Sequence, residues 1–126
     1  MARKRTPTLT DGELRLMNII WDKGEATVGD VLAALPKTHR LAYNTVLTIL
    51  RILEQKGNLR HVKAGRAHIY HPIVDRNQAR RKAVTHMVKG FFDNSTELLV
   101  QNILDSENIS AEELARLKKM IEKSER

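Results

Sequence analysis

No cysteine occurs among the 126 residues, which rules out a disulfide framework, a thiolate metal site and a cysteine nucleophile. No apolar run approaches the roughly 18 residues of a membrane-spanning helix. The basic start MARKRTPTLT is not followed by the apolar stretch, about 7 to 15 residues long, of a signal peptide. A Gly-rich phosphate loop, a nucleophile motif and an H-E-x-x-H or comparable metal spacing are all missing. An enzyme is therefore not expected, and neither is a cofactor or a small-molecule substrate. There are no internal repeats and no low-complexity stretch. These absences leave a cytoplasmic protein without membrane insertion, long enough for one domain or for a small domain with an appendage.

What the chain does hold is positive charge, unevenly placed. Lys and Arg number 22 against 15 Asp and Glu, a net charge of +7. Residues 1–82 carry sixteen basic and seven acidic side chains, whereas residues 83–126 carry six and eight. A basic front and a slightly acidic back point to a nucleic-acid-binding part joined to a part with another task. Residues 1–7 read as a flexible basic arm, able to follow a phosphate backbone or a minor groove, or simply to stay solvated.

Capping boxes mark where helices begin, because a Ser, Thr or Asp side chain and a Glu or Gln three residues later satisfy backbone N–H groups that have no helical partner. Thr10 with Glu13 opens a first helix, predicted to run to about Asp22 with Leu14, Met17, Ile20 and Trp21 toward a core. Gly24 breaks it. Thr27 starts a short second helix through Val31, Leu32 and Leu35, and Pro36 forbids its continuation. The third, within LAYNTVLTILRILEQKG (Leu41 to Gly57), sorts its residues by face. At about 100° per residue Val46, Ile49, Leu50 and Leu53 form an apolar stripe, and Asn44, Thr48, Arg51 and Gln55 fall opposite. An Asn amide suits adenine, a Thr methyl suits thymine, and an Arg fork suits guanine or phosphate. Alone, the segment is also an ordinary amphipathic helix with a solvated polar face.

Its surroundings are informative. Asn58 to Lys63 and Ala67 to Ile73 are β-compatible runs around Ala64, Gly65 and Arg66, a hairpin signal. Three helices and a hairpin form the order of a winged helix-turn-helix domain, with Lys63 and Arg66 near the tip of the wing, placed to meet phosphate or a minor groove. Asp75 with Gln78 caps a further helix from Arg76 to about Phe92, Asn94 or Ser95 another, and Ser110 with Glu113 the last. The expected fold is mostly α with a small β-hairpin: a winged-helix DNA-binding domain over residues 8–75 and a helical dimerisation domain over residues 76–126. The back helices are too few to bury Phe91, Leu98, Leu99, Ile103, Leu114, Leu117 and Ile121 among themselves, so a second copy of the chain is the simplest partner.

The ordered set LTDGELRLMNIIW, LAYNTVLTILRILEQKG, GRAHIYHP and ISAEELARLKKMIEK resembles the penicillinase repressor (BlaI/MecI) family over nearly the whole chain. The resemblance implies a dimeric transcriptional repressor on a palindromic double-stranded operator, with half-sites one helical turn, roughly 34 Å, or a multiple apart. Tyr43, Asn44, Thr45, Thr48 and Arg51 fall where the family places its DNA-contacting positions. It also implies induction by proteolysis, in which a β-lactam-sensing membrane metalloprotease cuts the dimerisation region. VQNILDSENIS aligns with that site and puts the bond between Asn102 and Ile103. The family's best-known members have Phe after the Asn, where this chain has Ile; helix surface and dimer core are the alternative roles for the pair. A copper-responsive branch carries C-terminal cysteines, which this chain lacks.

Two alternatives stand beside this reading. Of the five histidines, His39, His61, His68, His71 and His86, the sequence puts His68 and His71 on opposite faces of one strand, with His61 able to approach either. That arrangement leaves room for a metal or effector at the wing. An architectural DNA-binding protein without regulatory cleavage is the other, told apart by its lack of the preference of about 10³ or more that a repressor has for its operator.

Overall fold

The first helix follows from its cap. In the computed structural model, which describes residues 8–106 and 108–125, the Thr10 hydroxyl accepts from Glu13 N at 3.2 Å and Glu13 Oε1 accepts from Thr10 N at 2.9 Å. The basic arm expected at residues 1–7 lies outside the described residues. Helix α1 spans Asp11–Lys23, strand β1 Ala26–Thr27, α2 Val28–Ala34, and a single 3₁₀ turn Lys37–His39. Helix α3 spans Tyr43–Gln55, β2 Leu59–Ala64, β3 Ala67–Pro72, α4 Arg76–Phe91, α5 Thr96–Ser106 and α6 Ala111–Ser124. The chain divides into two compact units, Met1–His86 and Met87–Arg126. The division falls inside α4, whose first turns are tied to α1. There Arg76 donates to Asp22 Oδ1 at 2.9 Å and to Asn18 Oδ1 at 3.3 Å. Its guanidinium also lies over the Trp21 ring, 5.2 Å from the centroid.

In the first unit the three helices bury one stripe each against a small sheet. Leu16, Met17 and Ile20 come from α1, Val28 and Val31 from α2, Val46, Leu50 and Leu53 from α3, with Leu35, Ala26, Leu59 and Tyr70 completing the core. Ile49 and Leu32 pack partly buried at its margin. The α1 stripe departs from expectation. Leu14 is 40% exposed and Leu16 is buried in its place. Leu14 and Asn18 turn instead toward the first half of α4, whereas Trp21 packs partly buried against the core as expected and also borders α4, its indole Nε1 donating to Val74 O at 2.8 Å. The sheet is three-stranded and antiparallel in the order β1-β3-β2, so the expected hairpin gains a short third strand through Ala26↔Tyr70 and Thr27↔Ile69.

The recognition-helix candidate starts at Tyr43, two residues later than the sequence segment, after an Ala42 N-cap that offers no side-chain acceptor. It ends on Gly57, at φ 86°, a left-handed value that costs a glycine little. Asn58 N donates to Leu53 O at 2.9 Å and Gly57 N to Glu54 O at 3.0 Å, the pair of bonds that closes a helix in a Schellman motif. Beside this end lies a buried ion pair. Lys56 Nζ sits 2.7 Å from Glu13 Oε1, with the two side chains 7% and 8% exposed, and also donates to Thr8 O at 3.2 Å. The pair joins the start of α1 to the end of α3. Neither charge could be held there without the other, since an isolated buried ion is far more costly than a paired one.

In the second unit the Ser95 hydroxyl accepts from Leu98 N and the Ser110 hydroxyl from Glu113 N, each at 3.1 Å, and these bonds start α5 and α6. No described residue of α5 or α6 is buried. Phe91, Leu98, Ile103, Leu114 and Ile121 are exposed, Phe91 at 79%, while Leu99 and Leu117 are half-buried.

Candidate nucleic-acid interface

Helix α3 exposes what its buried stripe does not use. Asn44, Thr48, Arg51 and Gln55 are all exposed, opposite Val46, Leu50 and Leu53. Counting about 100° per residue, Tyr43, Leu47 and Glu54 lie on the flank beside the hairpin, and Thr45 lies on the other flank. The Thr48 hydroxyl donates back to Asn44 O at 2.9 Å. Its proton is thereby committed to the helix, and the methyl is the part of Thr48 left for an apolar contact such as a thymine methyl.

The wing turns at Gly65 and Arg66, with Ala64 paired to Ala67. Ala64 thus belongs to the strand and not to the turn. A positive φ of 64° on Gly65 alone, the first of the two turn residues, is the pattern of a type II′ turn, whose twist matches the flanking strands. The pairings His61↔Tyr70 and Lys63↔His68 put these four side chains on one face of the hairpin. Tyr70 is buried at the base of that face. Burial pushes its phenol above the usual tyrosine value, and the nearby Glu54 carboxylate adds to this while Arg51 opposes it. The phenol is therefore neutral across the physiological range.

Between α3 and the wing tip is an open concavity of about 300 Å³. Tyr43, Leu47 and Arg51 line it from the helix, and Arg66, Ala67 and His68 from the wing. Two guanidiniums on facing elements suit an anionic strand, since each can fork onto phosphate oxygens. Asn44 and Thr48 stand further around the helix, free to reach base edges while such a strand is held. The predicted set is therefore split by position: Tyr43, Arg51 and Arg66 meet at the concavity, Asn44 and Thr48 face outward, Lys63 lies exposed along β2, and Thr45 is on the far flank.

Sequence reasoning missed Glu54 and the interface position of His68. The hairpin register, which sets His61 diagonal to His68, is the signal that would have found the second. The rings of His61 and His68 stack with centroids 4.4 Å apart, whereas His71 is turned toward Glu25, Nε2 to Oε2 3.9 Å. Among the described residues no group of three or more His, Cys, Asp or Glu side chains is placed to hold a metal ion.

Asn102 and Ile103 sit exposed in the middle of α5. The Asn102 amide donates to Leu98 O at 3.0 Å, and the Ser106 hydroxyl donates to Asn102 O. Among the described residues no helix is long and apolar enough to cross a membrane.

Comparison with known proteins covers most of the chain. The model of the penicillinase repressor family matches residues 9–123. The chain is 29% identical to a penicillinase repressor of Bacillus licheniformis over 94% of this chain and 93% of that one. It is 22% identical to the methicillin resistance regulatory protein MecI of Staphylococcus aureus (strain N315), over 94% of this chain and 97% of that one. The solution structure of the DNA-binding domain of the repressor BlaI aligns with a TM-score of 0.52 at 34% identity, covering 60% of this chain and 93% of the other.

Proposed function

The chain belongs to the penicillinase repressor family, a family of repressors and not of enzymes, and from that premise we propose that it is a homodimeric repressor binding a palindromic double-stranded operator. The observation that carries this is the pairing of an exposed Asn44, Thr48 and Arg51 face with a wing concavity edged by Arg66. A helix end entering the major groove distinguishes base pairs there, while the wing cations position the duplex through its phosphates. Dimerisation is supported by the second unit, where Phe91, Leu98, Ile103, Leu114 and Ile121 are exposed and Leu99 and Leu117 half-buried, apolar side chains that a second copy would cover.

Release follows from cutting the Asn102–Ile103 bond, by the cytoplasmic metalloprotease domain of a membrane sensor that responds to β-lactam. The bond lies inside a hydrogen-bonded helix, whereas a protease cleft takes extended chain. Helix α5 must therefore open locally before the cut, and Ile103, part of the dimer surface, becomes available as the two copies separate.

The test begins with duplexes that the wild-type protein selects from a random-sequence pool. The selected duplex should bind at least about 10³-fold more tightly than random DNA. Arg51→Ala should cost about 1 to 3 kcal/mol on the selected duplex and relax preference at one base pair. Lys63→Ala and Arg66→Ala should weaken selected and random DNA alike. Equal loss on both duplexes for Arg51→Ala would sink its base-reading role, and a selection that enriches no sequence points to an architectural protein.

A further inference from the structure

Only the base of the wing is backed by the core. β1 supports β3 at Ile69 and Tyr70, and Leu59 is buried, but β2 from Arg60 onward is exposed and the hairpin beyond Val62 and Ile69 overhangs. A two-stranded ribbon has little stability or fixed twist of its own. Something must set its pitch against α3 if Arg66 and Lys63 are to meet phosphates while Asn44 and Thr48 meet bases.

Resting on the DNA-binding reading above, we infer that Glu54 and His61 are positioning residues that clip the wing to the recognition helix. His61 Nδ1 lies 2.7 Å from Glu54 Oε1, a bond from the outer strand to the last turn of α3, with both side chains about one-third exposed. The His61 ring then stacks on His68 at 4.4 Å and lies against Tyr70 at 5.7 Å. His68 borders the concavity next to Arg66. A continuous path of contacts thus runs from the helix through two imidazoles to the tip. A carboxylate so close to Arg51 on a DNA-facing surface opposes phosphate by itself, so its place there is explained by what it holds and not by what it attracts.

The distinguishing readout is the salt dependence of binding, because deleting a carboxylate changes affinity whatever its role. Each lost phosphate contact lowers the slope of log K against log salt by about 0.9. Glu54→Ala and His61→Ala, measured on the selected duplex, should each lower the slope by about 1.8, as Lys63 and Arg66 disengage together. Glu54→Gln should restore it, since its amide oxygen still accepts from His61 Nδ1–H. In the free protein, amide order parameters at Gly65 to Ala67 should fall below about 0.6 in Glu54→Ala from near 0.85 in the wild type. Unchanged slope and unchanged order in Glu54→Ala overturn the proposal. Wild-type protein that fails to bind any duplex overturns the DNA-binding reading and the clip's purpose with it, and the order parameters still report whether the clip exists.

Discussion

Replacing Lys56 by Met should strand the Glu13 carboxylate in a place with almost no water. Both side chains of the pair are more than nine-tenths buried, and their charged atoms are 2.7 Å apart. Removing one member of such a pair costs about 3 to 5 kcal/mol, most of it the desolvation of the charge left behind. Glu13 retains the bond from Thr10 N, which places the expected loss near 3 kcal/mol. For a unit of this size each kcal/mol lowers Tm by about 4 to 8 °C, so the melting point should fall by at least about 12 °C. The double variant Glu13→Gln/Lys56→Met removes both charges, keeps the capping box, and fills the space of the lysine stem with an apolar chain. It should recover at least about 2 kcal/mol of the loss, because a buried pair replaced as a whole is close to neutral. Urea titrations followed by circular dichroism supply the four corners of the cycle. A loss below about 1 kcal/mol for Lys56→Met would mean that the pair is effectively solvated. A double variant no better than Lys56→Met would refute the stranded charge as the cause and leave lost packing in its place.

Asp30 predicts an acid-range effect. Its carboxyl is held below the ordinary value of 3.8 by the Thr27 backbone N–H first, then by the Thr27 hydroxyl, with Lys23 contributing. A depressed carboxylate stabilises above its unfolded value and loses that contribution as pH falls through the folded one. The difference in urea midpoint between wild type and Asp30→Asn should therefore be constant near neutrality and shrink below about pH 4; a gap that widens on acidification contradicts the assignment. Leu99→Asp puts a charge on the apolar surface of α5 and should convert the protein to monomer in sedimentation at concentrations where the wild type is paired. An intact dimer would move the interface away from that face.

Local interactions were readable from the sequence, and those between distant residues were not. The boxes at Thr10 and Asp75 span three residues each and form where expected, and Thr27 starts α2 as expected, with Asp30 completing a box there. The phase of α3 was legible because its polar face is unbroken from Asn44 to Gln55. That of α1 was legible only in part: Met17, Ile20 and Trp21 reach the core as expected, but LRLMNIIW offers apolar residues on nearly every side, and only the position of α4 decides that Leu14 faces it while Leu16 goes inward. Strand β1 has two residues and no pattern; it exists because β3 is there to pair with it. For the same reason the bonds Glu13–Lys56 and Glu54–His61 join residues whose nearness is a product of the fold. The choice of His61 between His68 and His71 was settled by the register.

The sheet also bears on how the protein avoids pairing strand edge to strand edge. An unpaired strand edge invites the edge of another copy, which is the first step toward stacked aggregates. One margin here is β1, too short at Ala26–Thr27 to template anything. The other is β2, a six-residue edge strand that is exposed along most of its length. It carries Arg60 and Lys63, so two copies laid edge to edge would bring like charges together. Neutralising Arg60 and Lys63 to lessen attraction for DNA would at the same time remove the guard from that edge, and the resulting protein should be less soluble as well as less tightly bound.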